Sequence, residues 1–273
     1  IDSNHASLYA AWGKVEAIEH NVELARELFE TGLELDPTST RVYHSWAHLE
    51  EKVGNVDTAV ELLSKGLEYD STNTYLWQAL GQLALGTKNY DRARECFQHA
   101  LYDKRENDDL PSVFAYDSYG RMEYTLGNEE KAKQIFLEAL DMFPKDIRPM
   151  QCLALIEMKR GNMDEARVWS ELALRTNQRD SFFWCLLALI EAKVGNIPRA
   201  RALFKRGSEL NSKDAVIWNA WSYMEWQEGN TTTSEKLLRR YFVTKYDIRG
   251  DFCILAETMD DSLESSTYSR LLL

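Results

Sequence analysis

Proline and glycine are scarce, at 5 and 13 of 273 residues, which leaves little room for long flexible linkers. Long hydrophobic runs are missing too: the longest, Phe182 to Ile190, is too short to span a bilayer, and no membrane partner is expected. No basic-then-apolar leader opens the chain, and the missing initiator Met suggests a piece of a longer protein. The four cysteines, Cys96, Cys152, Cys185 and Cys253, lie far apart without a CxxC pair. They read as buried reduced thiols in a reducing compartment rather than as a disulfide framework or a metal site. Phosphate loop, nucleophile elbow and metal-ligand cluster are all lacking, so no enzyme activity, cofactor, metal or small-molecule substrate is expected. A basic surplus is also missing. The net charge of -12 argues at first sight against a nucleic-acid partner. Net charge averages over faces, however, and one face departs from that average.

What the chain has is a period. A helical apolar pattern, a break ending in Asn and a second helical pattern recur seven times. The break asparagines are Asn21, Asn55, Asn89, Asn128, Asn162, Asn196 and Asn230, spaced 34, 34, 39, 34, 34 and 34. A fixed period in this range means stacked repeats, each one a supersecondary unit that buries its core only against neighbours. The units are 6–39, 40–73, 74–112, 113–146, 147–180, 181–214 and 215–248, followed by a cap and tail at 249–273. The third carries a five-residue polar insertion around Lys104 to Ser112, read as an exposed loop.

With positions numbered 1 to 34 in each unit, the first helix is expected over about 1 to 14. Position 4 is mostly aromatic (Tyr9, Tyr43, Trp77, Tyr116, Trp184, Trp218), and position 8 is always small, from Gly13 to Ser222. Positions 4, 7, 8 and 11 share one helical face, so a second helix must approach closely there. Gly54, Gly127, Gly161, Gly195 and Gly229 precede the break Asn as glycine caps would; His20 and Lys88 replace them in units one and three. The second helix has Ala at position 20 in six units, Phe at 24 in four, and a small residue at 27 in six. The seventh unit departs at Ser234, Glu235, Tyr241 and Phe242, as a terminal repeat with a changed neighbour would; part of the tail, Asp247 to Met259, is expected to pack on it.

Two further positions are charged. Position 11 is Glu16, Glu50, Glu123, Glu157, Glu191 and Glu225, with Ala84 in unit three. Position 21 is Arg26, Arg94, Lys133, Arg167 and Arg201, with Val60 and Glu235 as exceptions. Aromatic, Glu, Gly-Asn, then Ala-Arg resembles the half-a-TPR, or HAT, variant of the tetratricopeptide repeat, over residues 6–248. The resemblance implies an all-α, right-handed TPR-like superhelical solenoid of seven helix-turn-helix repeats. A ladder of glutamates in register is structural rather than catalytic, and a partly buried carboxylate needs a partner. The expected pairs lie ten residues apart: Glu16 with Arg26, Glu123 with Lys133, Glu157 with Arg167 and Glu191 with Arg201.

The resemblance also implies RNA metabolism, in the nucleus or in a plastid. Regular spacing and Ala-Arg units are most similar to plastid factors that stabilise photosystem II messengers, so the plastid is favoured. In TPR-like repeats the concave groove is lined by positions 2, 5, 9, 12 and 13. Here those positions hold Lys14, Arg41, Lys52, Arg121, Arg148, Lys159 and Lys193 against only Glu51 and Asp117, a stripe of net +5. Interleaved are His44, His48, Gln78, Gln82, Gln151, Asn219 and Gln227, with Tyr75, Phe114, Tyr124, Phe182, Tyr223 and Trp226. Cations for phosphates, amides for base edges and aromatics for stacking are what single-stranded RNA recognition needs. The alternative for these aromatics is packing between units. His44 and His48 have the i,i+4 spacing of a metal pair but no third ligand, and they read as polar groove contacts. The expected function is non-catalytic RNA binding in processing or messenger stabilisation. The alternative is a protein–protein scaffold of an RNA-processing complex. A peptide-tail receptor is disfavoured, because positions 5 and 9 never form a Lys/Asn pair.

Overall fold

A computed structural model describes residues 3–102 and 112–246. The described residues form fourteen α-helices. They are α1 (Ser3–Ile18), α2 (Val22–Leu35), α3 (Thr40–Val53), α4 (Val56–Tyr69), α5 (Thr74–Gly86), α6 (Tyr90–Tyr102), α7 (Val113–Thr125), α8 (Glu129–Met142), α9 (Ile147–Arg160), α10 (Met163–Thr176), α11 (Ser181–Lys193), α12 (Ile197–Leu210), α13 (Ala215–Gln227) and α14 (Thr231–Tyr246). The architecture is an all-α solenoid of seven helix pairs. The expected loop at 104–111 and the tail expected to pack on the last repeat lie outside the described residues.

The chain divides into two compact units, residues 1–128 and 129–273. In the first, α1, α3, α5 and α7 pack side by side, and each of α2, α4 and α6 also packs on the first helix of the next repeat. In the second, α8, α10 and α12 pack in the same way on α9, α11 and α13.

The helix starts follow from capping chemistry. Asn73, Ser112, Asp146, Asp180 and Asp214 precede first helices, and the side chain of each accepts a hydrogen bond from an N–H of the first turn. Between the helices of a pair the backbone turns through the left-handed region at Gly54, Gly127, Gly161, Gly195 and Gly229. His20 and Lys88 adopt the same conformation with φ of 66° and 59°. An L side chain is strained there by roughly 1 kcal/mol or more, and glycine is not. Lys88→Gly is therefore expected to stabilise the chain by about 1 kcal/mol, measured as a raised urea midpoint. An unchanged or lowered midpoint would show that the Lys88 side chain compensates for the strain.

Within each unit the core crosses repeat boundaries. Phe29 stacks on Trp46, Phe97 on Tyr119 and Phe204 on Trp221, with ring centroids 6.3, 5.9 and 5.9 Å apart. In each pair, position 24 of one repeat meets position 7 of the next, so no repeat completes its own core. In the seventh repeat Tyr241 and Phe242 are buried against Trp218 and Leu237, which accounts for a large residue at Tyr241 where earlier repeats carry Gly or Ala. Ser234 is buried as well, and its hydroxyl donates to the Ser222 carbonyl.

Candidate functional site

Five of the six glutamates of position 11 are the most buried charges described. Glu50, Glu123, Glu157, Glu191 and Glu225 are at most 2% exposed. A carboxylate taken out of water needs charge and hydrogen bonds in return, and up to three groups converge on each. The break Asn donates its side-chain N–H: Asn55 to Glu50 at 2.7 Å, Asn128 to Glu123 at 2.7 Å, Asn162 to Glu157 at 2.7 Å, Asn196 to Glu191 at 3.1 Å and Asn230 to Glu225 at 2.8 Å. Its backbone N–H meanwhile donates to the carbonyl of the same Glu, as for Asn55 at 2.8 Å. Where position 7 is Trp, the indole N–H adds a bond, from Trp46 to Glu50 at 3.0 Å and from Trp221 to Glu225 at 3.1 Å.

The third group is the basic residue of position 21, and here the structure corrects the expected pairing. Arg26 donates to Glu50 rather than Glu16, through Nε at 2.8 Å and Nη2 at 2.9 Å. Arg94 donates to Glu123, Arg167 to Glu191 and Arg201 to Glu225, each with an Nε bond of 2.7 to 2.9 Å. Lys133 forms a close ion pair with Glu157, at 2.6 Å, rather than with Glu123. The partner thus lies in the following repeat, 24 residues on, or 29 across the insertion for Arg94, not ten residues back. Position 21 sits on the side of the second helix that packs on the next repeat. Its guanidinium therefore bridges two repeats. Arg26, Arg94 and Arg167 are held from behind by Glu23, Asp91 and Asp164, one turn earlier on the same helix.

Two of the three exceptions in the sequence fit this register. Val60 of unit two and Ala84 of unit three occupy one rung, so base and acid are absent together. Asn89, with no glutamate to serve, returns to helix capping and accepts from the Arg92 N–H at 3.3 Å. That matched pair of exceptions was visible in the sequence, and only a spacing of 24 explains it.

Arg26, Asn55 and Trp46 together hold the Glu50 carboxyl at about 2, against an ordinary 4.5, with burial working in the opposite direction. Glu225 is lowered in the same way by Arg201, Asn230 and Trp221. At Glu157 burial pushes upward, but Lys133 and Asn162 outweigh it and bring the carboxyl below its ordinary value. A carboxyl whose folded value is depressed adds stability that is complete above its unfolded value and is lost as pH falls toward the folded one. The urea midpoint is therefore expected to stay level from pH 7 to about 5 and to fall steeply between about 5 and 2. A midpoint independent of pH across that window would remove the ladder as a source of stability.

The positions expected to face a ligand divide between the two units. In the first, Lys14, Arg41 and Lys52 are exposed and form no ion pair among the described residues. His44 is half-buried; burial first, then Lys14 and His48, lowers its imidazole below the ordinary value, so it is neutral at pH 7. His48 lies 3.2 Å from Glu51. Gln82 donates to the Ser118 hydroxyl, and the carbonyl oxygen of Gln78 is buried with no partner among the described residues. Arg121 is bound by Asp117 of its own helix at 2.9 Å. Tyr75 and Phe114 are 67% and 59% exposed.

In the second unit two of the three stripe cations are engaged. Arg148 pairs with Asp146 at 2.6 Å and Lys159 with Glu129 at 2.9 Å. Both acids lie outside the stripe positions, which is why a count along the stripe missed them. Gln151 is half-buried, and Lys193 is exposed with no ion pair among the described residues. Trp226 is exposed beside Tyr223, with centroids 5.8 Å apart, and Asn219 is buried. Among the described residues, no group of three His, Cys, Asp or Glu is placed to hold a metal, and no helix is long and apolar enough to cross a membrane.

Residues 59–267 match the family described as the pre-mRNA-splicing factor Syf1/CRNKL1 C-terminal HAT repeat. The chain belongs to this HAT-repeat family. A comparison with curated proteins finds no match. Among solved structures the HAT chain is similar to Pseudomonas aeruginosa pilF, with a TM-score of 0.64 and 18% identity over 83% of this chain and 98% of that one. It is also similar to YrrB, described as a TPR protein with an unusual peptide-binding site, at TM-score 0.53 and 17% identity over 70% of this chain and 96% of that one. The third is the Cut9-Hcn1 hetero-tetramer of APC/C, at TM-score 0.61 and 14% identity over 98% of this chain and 48% of the other. At these identities the likeness is one of fold. The HAT chain is a helical-repeat scaffold of a family named for pre-mRNA-splicing factors.

Proposed function

We propose that the HAT chain is a non-catalytic RNA-binding scaffold of an RNA-processing assembly, with single-stranded RNA gripped by the first-helix stripe of the 1–128 unit. One observation carries the reading. The stripe cations that form no ion pair among the described residues of that unit, Lys14, Arg41 and Lys52, share it with the exposed rings of Tyr75 and Phe114. Phosphates would lie on the three cations and bases on the two rings, with His44, His48, Gln78 and Gln82 offering polar edges. Arg121, Arg148 and Lys159 already serve Asp117, Asp146 and Glu129, and contribute less. Gln151 and Lys193 lie in the other unit and are not part of this contact. Membership of a splicing-factor family supports a nuclear rather than a plastid setting.

Replacing Lys14, Arg41 and Lys52 together by Ala is expected to weaken binding of a single-stranded RNA pool more than ten-fold at low salt, and to reduce the slope of log K on log salt by about 2, at ~0.7 per phosphate contact. The Arg148→Ala, Lys159→Ala pair changes both by less. Equal binding by the triple variant and the parent would sink the groove reading.

The second reading is a protein scaffold without RNA. The net charge of -12 supports it, as does the likeness in fold to YrrB, described with a peptide-binding site, and to the Cut9-Hcn1 hetero-tetramer. It predicts no measurable affinity of the parent chain for any RNA pool at low salt.

A further inference from the structure

The repeat-to-repeat interface recurs within this chain, so the fold itself shows what an unfilled copy of it requires. At positions 3 and 10 of α3, α5, α11 and α13, apolar side chains are no more than 6% exposed. At the same positions of α1, Leu8 is 65% and Val15 is 52% exposed. Trp12, at the position where Trp46 and Trp221 stack on a phenylalanine of the preceding repeat, is 53% exposed. Glu16 accepts from Asn21 at 2.8 Å and from Trp12 at 2.9 Å, as the other ladder glutamates do, but from no basic residue among those described. Every other component of a rung is assembled, and the basic group is missing.

We propose that this face of α1 is a socket for the second helix of a further HAT hairpin, one that carries Arg or Lys and, three residues later, Phe. The basic residue completes the Glu16 rung, and the phenylalanine stacks on Trp12 over Leu8 and Val15. A helix of that composition meets both the apolar and the ionic demand of the face. A second copy of this chain does not meet it. Its last repeat presents Glu235 and Leu238 at the corresponding places, so head-to-tail stacking sets Glu235 against Glu16. A two-fold contact through α1 brings two Glu16 carboxylates together, and like charges repel at such an interface.

The test places a copy of residues 181–214 directly before Ala6 of the full chain, in the 34-residue register. That hairpin already uses Arg201 and Phe204 against Glu225 and Trp221. Amide exchange in α1 is expected to slow roughly ten-fold or more, and the Glu16 carboxyl, followed by NMR, to titrate lower than in the parent. The same fusion with Glu in place of the added arginine keeps the covalent extension and loses most of both effects. The proposal is overturned if the added hairpin leaves α1 exchange unchanged, or if the Glu-bearing fusion protects α1 equally well. It is also overturned if the parent chain dimerises in sedimentation experiments with protection of α1, which would make a second copy the occupant.

Discussion

Arg26→Met is expected to speed amide exchange across α1 and α2 by about two decades, the factor that a loss of ~3 kcal/mol at one repeat interface gives. The substitution keeps most of the aliphatic stem and removes the guanidinium. Glu50 is then left with Asn55 and Trp46 but no counter-charge, at a site where its side chain is 3% exposed. Solvent cannot replace the missing charge, so the carboxyl must protonate or the interface must open. Because repeats contact only their neighbours, the damage stays near the broken rung, and α1–α2 frays before the rest unfolds. Arg26→Val combined with Glu50→Ala reproduces the Val60/Ala84 rung that the chain already uses. That double variant is expected to recover most of the loss, because replacing both members of a buried ion pair by apolar groups is close to neutral. A double variant as unstable as Arg26→Met would mean that the arginine acts through packing rather than through the charge of Glu50.

Gly81→Val is the second large effect. A Cβ at Gly81 would lie 2.7 Å from Cε1 and 2.9 Å from Cζ of Phe97, a ring with no exposed surface. Two further methyl groups of valine extend into the same ring, and Phe97 is already stacked on Tyr119. Overpacking of this kind costs about 3 kcal/mol, read as a lower urea midpoint with an unchanged slope. Gly81→Ala is a milder case: alanine favours the helix by about 1 kcal/mol, which offsets part of the strain. Unit two shows the compensating solution, with Ala47 facing a repeat that carries Leu63 at position 24. Gly81→Ala with Phe97→Leu is therefore expected to be more stable than Gly81→Ala alone. If Gly81→Val keeps the parent midpoint, the approach of α5 and α6 at this point is looser than described.

The fold was legible because its signal repeats. The break asparagines marked seven helix pairs, and the small residues at positions 8, 20 and 27 marked where helices approach. Apart from α1, which begins three residues early at Ser3, the first helices start where expected, and Asp146, Asp180 and Asp214 cap as their chemistry requires. The ladder partners were not legible from distance along the chain. Ten residues separate Glu157 from Arg167, but a second-helix side chain at position 21 points across to the next repeat and reaches Glu191. The joint exception at Val60 and Ala84 carried the right register. The ligand stripe was legible as a pattern of positions and not as an electrostatic surface. Asp146 and Glu129 come from other turns of the chain and neutralise Arg148 and Lys159. Conversely, the exposure of Tyr75 and Phe114 needed the structure, because position 2 could have been packed between repeats.

Each basic residue of position 21 ties its repeat to the next. A double-mutant cycle on Arg167 tests it most directly. Arg167→Met is combined in turn with Glu191→Gln and with Glu157→Gln, and the coupling free energies are measured by urea unfolding. The account predicts a coupling of about 2 kcal/mol or more between Arg167 and Glu191 and none beyond error between Arg167 and Glu157. The reverse result, coupling to Glu157 and none to Glu191, would place the ion pairs within repeats and contradict it.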